Sequence, residues 1–231
     1  MKKIGLVGGI SWTSTVDYYR YINEETNKRL GGLHFAECII YSVNFEQFAS
    51  SNALHDWEAT YQLLSSAVQH LDDAGAELIV LGANTAHIVA DKIAAATHLP
   101  LIDIRTATAK AIHQQNLKKV GLLGTVYTME LDFYKNKLSE EGIAVLTPAH
   151  KADRDYIEES LVQELGKGII NTSTKTQYLN IAEGLIQQGA EGIILGCTEI
   201  PLLLCQDDFS VPVFNTTHLH ATAAVEAALS N

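Results

Sequence analysis

The stretch from Gly75 to Asn84 (Gly-Ala-Glu-Leu-Ile-Val-Leu-Gly-Ala-Asn) reappears as Gly189 to Thr198 (Gly-Ala-Glu-Gly-Ile-Ile-Leu-Gly-Cys-Thr). Two further matches keep the same order. Lys3–Gly8 resembles Lys119–Gly124, and Leu99-Pro100-Leu101-Ile102 resembles Val211-Pro212-Val213-Phe214. A repeat of this length marks a duplicated supersecondary unit, so whatever the first half folds into, the second half folds into again.

Each half alternates short apolar runs with amphipathic stretches. Ile4–Val7, Ile39–Val43, Leu78–Leu81 and Leu101–Ile104 read as buried parallel strands in the first half. Val120–Leu123, Ala144–Leu146, Ile193–Leu195 and Val213–Phe214 read so in the second. His55–Ala74 carries Leu63, Leu64, Val68 and Leu71 at helical spacing. Helices are also expected over Glu130–Glu141, Asp155–Leu165, Thr174–Gln188 and His218–Ser230. The fold class that follows is α/β, with two pseudo-symmetric lobes, each a parallel sheet flanked by helices. The expected lobes are residues 1–104 and 105–216, with the C-terminal helix 217–231 packing back on the first. No Pro/Gly/Ser-rich linker separates them.

In open parallel sheets ligands bind beyond the carboxyl ends of the strands. The repeat places Gly82-Ala83 and Gly196-Cys197 at equivalent strand ends, and the expectation is a site in a cleft between the lobes. Cys197 is the candidate catalytic residue. A thiol that opens a helix has its thiolate favoured by the dipole and the N–H groups there. Asn84 and Thr85 hold the matching place in the first half and are expected to cap a helix and to bind a carboxylate. Thr125 and Thr128 follow the strand Val120–Leu123 in the same way. Gly9, in Gly8-Gly9-Ile10-Ser11-Trp12, offers close backbone approach, and Ser11 a donor. The acidic run Asp153, Asp155, Glu158 and Glu159 reads as a solvated helix start. Lys167 stands beside Gly168, either in a surface loop or reaching toward the site.

Composition removes other classes. A net charge of −11 with scattered lysines and arginines excludes a nucleic-acid partner, and an acidic chain that takes an anionic substrate needs local positive potential from backbone N–H groups. No stretch reaches membrane-span length, and Ile4–Ile10 reads as a first strand rather than a leader. Three cysteines without CxxC spacing fit a reducing cytoplasm. Nine histidines include no HExxH, so no metal is expected.

The motifs Gly8-Gly9-Ile10-Ser11-Trp12-Thr13-Ser14-Thr15, Asn84-Thr85-Ala86-His87 and Gly196-Cys197-Thr198-Glu199-Ile200-Pro201 together resemble the aspartate/glutamate racemase family, along essentially the whole chain. Ser-Trp and Cys-Thr-Glu are specific to its aspartate racemase branch. The resemblance implies two α/β lobes, a homodimer, small acidic amino acids as substrates, and no pyridoxal phosphate, metal or nucleotide. It implies two cysteines that exchange the Cα proton on opposite faces of the substrate. Cys197 fills one position; Asn84, Thr85 and Thr198 match the α-carboxylate clamp, and Lys167 matches a lysine some members use for the side-chain carboxylate. Glu199 joins the substrate-binding set through the Cys-Thr-Glu motif. The family's arginine after the second strand is missing.

Ala83 is the departure. The second cysteine belongs there, by the resemblance and by the internal repeat alike, and alanine cannot carry a proton. The replacement is engineered, or belongs to a natural one-base enzyme, or marks chemistry that needs only one thiol. The leading expectation is racemisation of aspartate, glutamate or a broader set. The alternatives are a single-cysteine decarboxylase of the arylmalonate type and a catalytically inert amino-acid-binding homologue.

Overall fold

The apolar runs form two four-stranded sheets, all of whose strand pairs are parallel, in a computed structural model that describes residues 1–230. By its contacts the chain divides into two compact lobes, Met1–Ile104 with the segment from Thr217 onward, and Arg105–Thr216.

The first lobe runs β1 (Ile4–Gly8), α1 (Trp12–Leu30), β2 (Cys38–Ser42), α2 (Phe45–Ala53), α3 (Trp57–Asp73), β3 (Leu78–Leu81), a 3-10 segment (Thr85–Val89), α4 (Ala90–Ala96) and β4 (Leu101–Ile102). The second runs α5 (Ile104–Gln114), β5 (Lys119–Gly124), α6 (Val126–Glu130), α7 (Asp132–Glu140), β6 (Ala144–Leu146), α8 (Lys151–Gln163), α9 (Thr172–Gln187), β7 (Ile193–Gly196) and β8 (Val213–Asn215). Helix α10 (Thr216–Leu229) then belongs, from Thr217, to the first lobe. The sheet orders are β2-β1-β3-β4 and β6-β5-β7-β8, the same order twice.

The duplication reaches individual hydrogen bonds. Gly75 and Gly189 both take positive φ (89° and 93°), the left-handed region glycine enters at least cost, so each helix stops and turns into its strand. Glu77 accepts from the Lys3 N–H at 2.7 Å, and Glu191 from the Lys118 and Lys119 N–H groups at 2.7 and 3.0 Å. Each carboxylate fastens the start of the neighbouring central strand.

Strand alternation divides the first core. Ile79 and Leu81 face a cluster with Leu64, Ala67, Val68 and Leu71 of α3. Leu78 and Val80 face Tyr18 and Ile22 of α1 and Ala221, Ala224 and Val225 of α10. Both faces are covered, as a parallel sheet requires. In the second lobe Leu123, Ile193 and Leu195 pack with Ile157 and Leu161 of α8 and Tyr178, Ile181 and Leu185 of α9. Each buried Leu or Ile contributes about 1.5–3 kcal/mol.

Most elements begin or end within two residues of expectation, and three of the differences have a clear local cause. The strand expected to Ile104 ends at Ile102, because Ile104 opens α5. The helix expected over Glu130–Glu141 is α7, Asp132–Glu140, and extended geometry at Leu131 (φ −75°, ψ 153°) separates it from α6, which ends at Glu130. Helix α8 begins at Lys151, after His150 as N-cap, so its acidic residues lie inside the helix. No helix of the described residues is long and apolar enough to cross a membrane.

Candidate active site

In the second lobe Gly124 and Gly196 are register partners at the ends of β5 and β7, so Thr125 and Cys197 leave the sheet side by side. The approach is close. A Cβ on Gly196 would lie 2.7 Å from Leu122 Cδ1 and 2.9 Å from the Leu123 carbonyl oxygen, so only glycine lets β7 sit this near β5. Cys197 is partly buried and packs against the second core. Its thiol donates to Glu199 Oε2 at 3.0 Å, and the buried Thr198 hydroxyl donates to the same oxygen at 2.7 Å.

That geometry overturns the expected helix-favoured thiolate. The chain beyond Cys197 forms only a three-residue 3-10 turn, Ile200–Leu202, too short to build an appreciable dipole. The Glu199 side chain folds back onto the sulfur instead. Burial, first, and then the Glu199 carboxylate raise the thiol well above its ordinary range; the Glu199 N–H favours the thiolate more weakly. The resting group is a protonated thiol with a carboxylate in hydrogen-bonding contact.

Glu158 corrects a second expectation. It is no solvated residue of a helix start: it lies mid-helix in α8, half-buried, and accepts the Val126 N–H at 2.8 Å. Burial raises its carboxyl, and its charge adds to the proton affinity of Tyr127, Tyr178 and Cys197. Tyr178 is buried in α9 with its hydroxyl 2.9 Å from Ser160 Oγ. The signal for Glu158 is masked by its acidic neighbours: it shares a helix face with buried Leu161, three residues on. Thr125 caps α6 by accepting the Thr128 N–H at 3.3 Å, and the two hydroxyls lie 3.1 Å apart. Lys167, at the exposed end of the turn after α8, donates back to Gln163 Oε1 at 2.8 Å.

In the first lobe Gly9 and Ala83 each stand two residues beyond the Val7–Leu81 pair. Gly9 takes φ 84°, and a Cβ there would lie 2.2 Å from the Val43 carbonyl oxygen, while its N–H donates to Thr15 Oγ1 at 2.8 Å. Ser11 Oγ pairs with Thr13 Oγ1 at 2.7 Å. Asn84 and Thr85 are buried at the start of the 3-10 segment. The Asn84 side chain makes no cap hydrogen bond there, so the expected capping role is not what holds this turn. His87 holds it. Its Nδ1 lies 2.9 Å from the Ala83 carbonyl oxygen.

Among the described residues no group of three or more His, Cys, Asp or Glu side chains is placed to hold a metal ion. The family model described as Asp/Glu/hydantoin racemase matches residues 7–224. The chain belongs to the Asp/Glu/hydantoin racemase family. It is 25% identical to the broad specificity amino-acid racemase RacX of Bacillus subtilis (strain 168), over 98% of both chains. Among solved structures it resembles an Asp/Glu racemase candidate from Yersinia pestis, at 49% identity and a TM-score of 0.92, and an aspartate racemase homologue from Pyrococcus horikoshii OT3, at 36% and 0.87; each match covers 100% of both chains. In this chain Ala83 stands at one strand end and the carboxylate-paired thiol of Cys197 at the equivalent one.

Proposed function

We propose that the protein is a cofactor-independent amino-acid racemase of aspartate- and glutamate-type substrates, working with one thiol. The observation that carries this reading is the Cys197–Glu199 pair at the end of β7, in a chain that belongs to the racemase family. A protonated thiol is a poor base until its proton is taken, and in this reading Glu199, the carboxylate in contact with it, is the group that accepts that proton as substrate binds. The Cys197 thiolate then removes the Cα proton, and the electron pair left on Cα spreads into the substrate α-carboxylate. N–H groups and hydroxyls at the strand ends are suited to hold the resulting enediolate. In this reading Asn84, Thr85 and Thr198 hold the α-carboxylate, with Gly9, Ser11, Thr125, Thr128 and Lys167 around the substrate.

Return of the proton from Cys197 restores the starting enantiomer. Inversion needs an acid on the other face, which Ala83 cannot be, so water supplies that proton and net racemisation is slow. We place the enzyme in the cytoplasm as a homodimer. Chiral chromatography of each enantiomer of aspartate and glutamate, incubated with the protein and with its Cys197→Ala variant, tests the reading. Slow interconversion that the variant abolishes supports it; equal turnover by both proteins, or none by either, refutes it.

A further inference from the structure

His87 is fully buried inside the 3-10 segment that follows β3. Its two ring nitrogens face opposite kinds of group. Nε2 lies 3.2 Å from the Ile104 backbone nitrogen, which can only donate, and Nδ1 lies 2.9 Å from the Ala83 carbonyl oxygen, which can only accept. The pair of contacts fixes one neutral tautomer, Nδ1–H with an Nε2 lone pair. A second buried imidazole supports the first. His220 packs edge-on against His87 with ring centroids 5.4 Å apart; its Nε2 lies 2.6 Å from the Ile102 carbonyl oxygen and its Nδ1 2.8 Å from the Tyr18 hydroxyl. Together they grip the chain on both sides of Asp103.

The consequence lies in the Ala83–Asn84 peptide. In a planar trans peptide C=O and N–H point in opposite directions. With its carbonyl bound by His87, this peptide turns the Asn84 N–H away from the imidazole. Without that bond the Ala83 carbonyl is free to rotate, and a carbonyl aimed at an anion repels it.

We infer that His87 is a positioning residue: it orients the Ala83–Asn84 peptide so that Asn84 presents an N–H, and not Ala83 a carbonyl, to the substrate α-carboxylate. The inference rests on the racemase reading. It also explains why the histidine follows Asn84-Thr85-Ala86 at this spacing, close enough to reach back to the carbonyl four residues earlier.

Two substitutions separate positioning from mere packing. The Asn amide nitrogen takes the place of Nδ1, and the Gln amide the place of Nε2. His87→Asn keeps the donor to Ala83 and loses the acceptor for Ile104; His87→Gln does the reverse. Both cost stability, and thermal melts with near-ultraviolet dichroism check that both fold. Affinity for L- and D-aspartate and glutamate, by calorimetry and as KM against kcat, is the readout. For the preferred substrate, affinity falls about 10-fold in His87→Gln and stays within about 3-fold in His87→Asn, with kcat much less affected than KM, in line with loss of a hydrogen bond to a charged group. Equal affinities in the two folded variants, or weaker binding by Asn than by Gln, overturn the inference while leaving the racemase reading intact. If the unmodified protein binds none of the four amino acids, the racemase reading fails and takes the inference with it.

Discussion

The thiol of Cys197 donates its hydrogen to Glu199 Oε2 at 3.0 Å, and this contact, made two residues along the chain, sets the state of the group the chemistry needs. The carboxylate holds the proton on sulfur at rest and is also the nearest place for that proton to go. Removing the charge while keeping the shape should therefore make the thiol more acidic and the enzyme slower at once.

Alkylation of Cys197 by iodoacetamide, followed against pH in a Cys38→Ala/Cys205→Ser background, should show a midpoint above the ordinary thiol value of about 8.5. Glu199→Gln should bring that midpoint down, because it removes the negative charge beside the sulfur, yet it should cost about 10²–10⁴-fold in turnover as a proton acceptor is lost. A native midpoint at or below the ordinary value would contradict the pairing.

Ala83→Cys restores a thiol at the strand end equivalent to Cys197. If the duplicated halves serve one substrate, two-way racemisation should rise about 10²–10⁴-fold, measured from either enantiomer. An unchanged rate would mean that the two strand ends do not act together.

His220 predicts a pH dependence of stability. Burial first, then His87, pushes it down to about 3, against weaker pulls upward from the Ile102 carbonyl and Asp103. The folded chain thus refuses a proton that the unfolded chain accepts near 6.5. The contribution is complete above about pH 6.5 and is lost as pH falls toward 3, at up to ~1.4 kcal/mol per pH unit. Denaturant melts between pH 7 and 4 should show a shallower slope in His220→Gln than in the unmodified protein. Identical slopes would rule out a neutral buried His220.

Much of this was legible because the sequence is duplicated. Leu78–Leu81 and Ala144–Leu146 form strands over the expected residues, and both sheets share the order that the repeat requires. What periodicity could not show was where side chains turn. Leu131 reads as part of the helix that starts at Glu130, yet its extended backbone makes it the N-cap that holds α7 apart from α6. Glu158 looks solvated among acidic neighbours, yet it bonds the Val126 N–H. The state of Cys197 is not legible in the sequence, because an apparent helix start is a three-residue turn and a glutamate side chain, not a dipole, lies against the sulfur. These outcomes depend on rotamers and on contacts between segments distant in sequence.

In the proposed reaction Cys197 alone exchanges the Cα proton, on one face. Each enantiomer of aspartate and glutamate, incubated with the protein in deuterated water, reports this through the Cα–H signal in proton NMR and the optical purity of the recovered amino acid. The prediction is rapid deuterium incorporation into mainly one enantiomer with its configuration retained, much slower net inversion, and loss of both in Cys197→Ser. Equal exchange of both enantiomers with matching inversion, or exchange that survives Cys197→Ser, would contradict it.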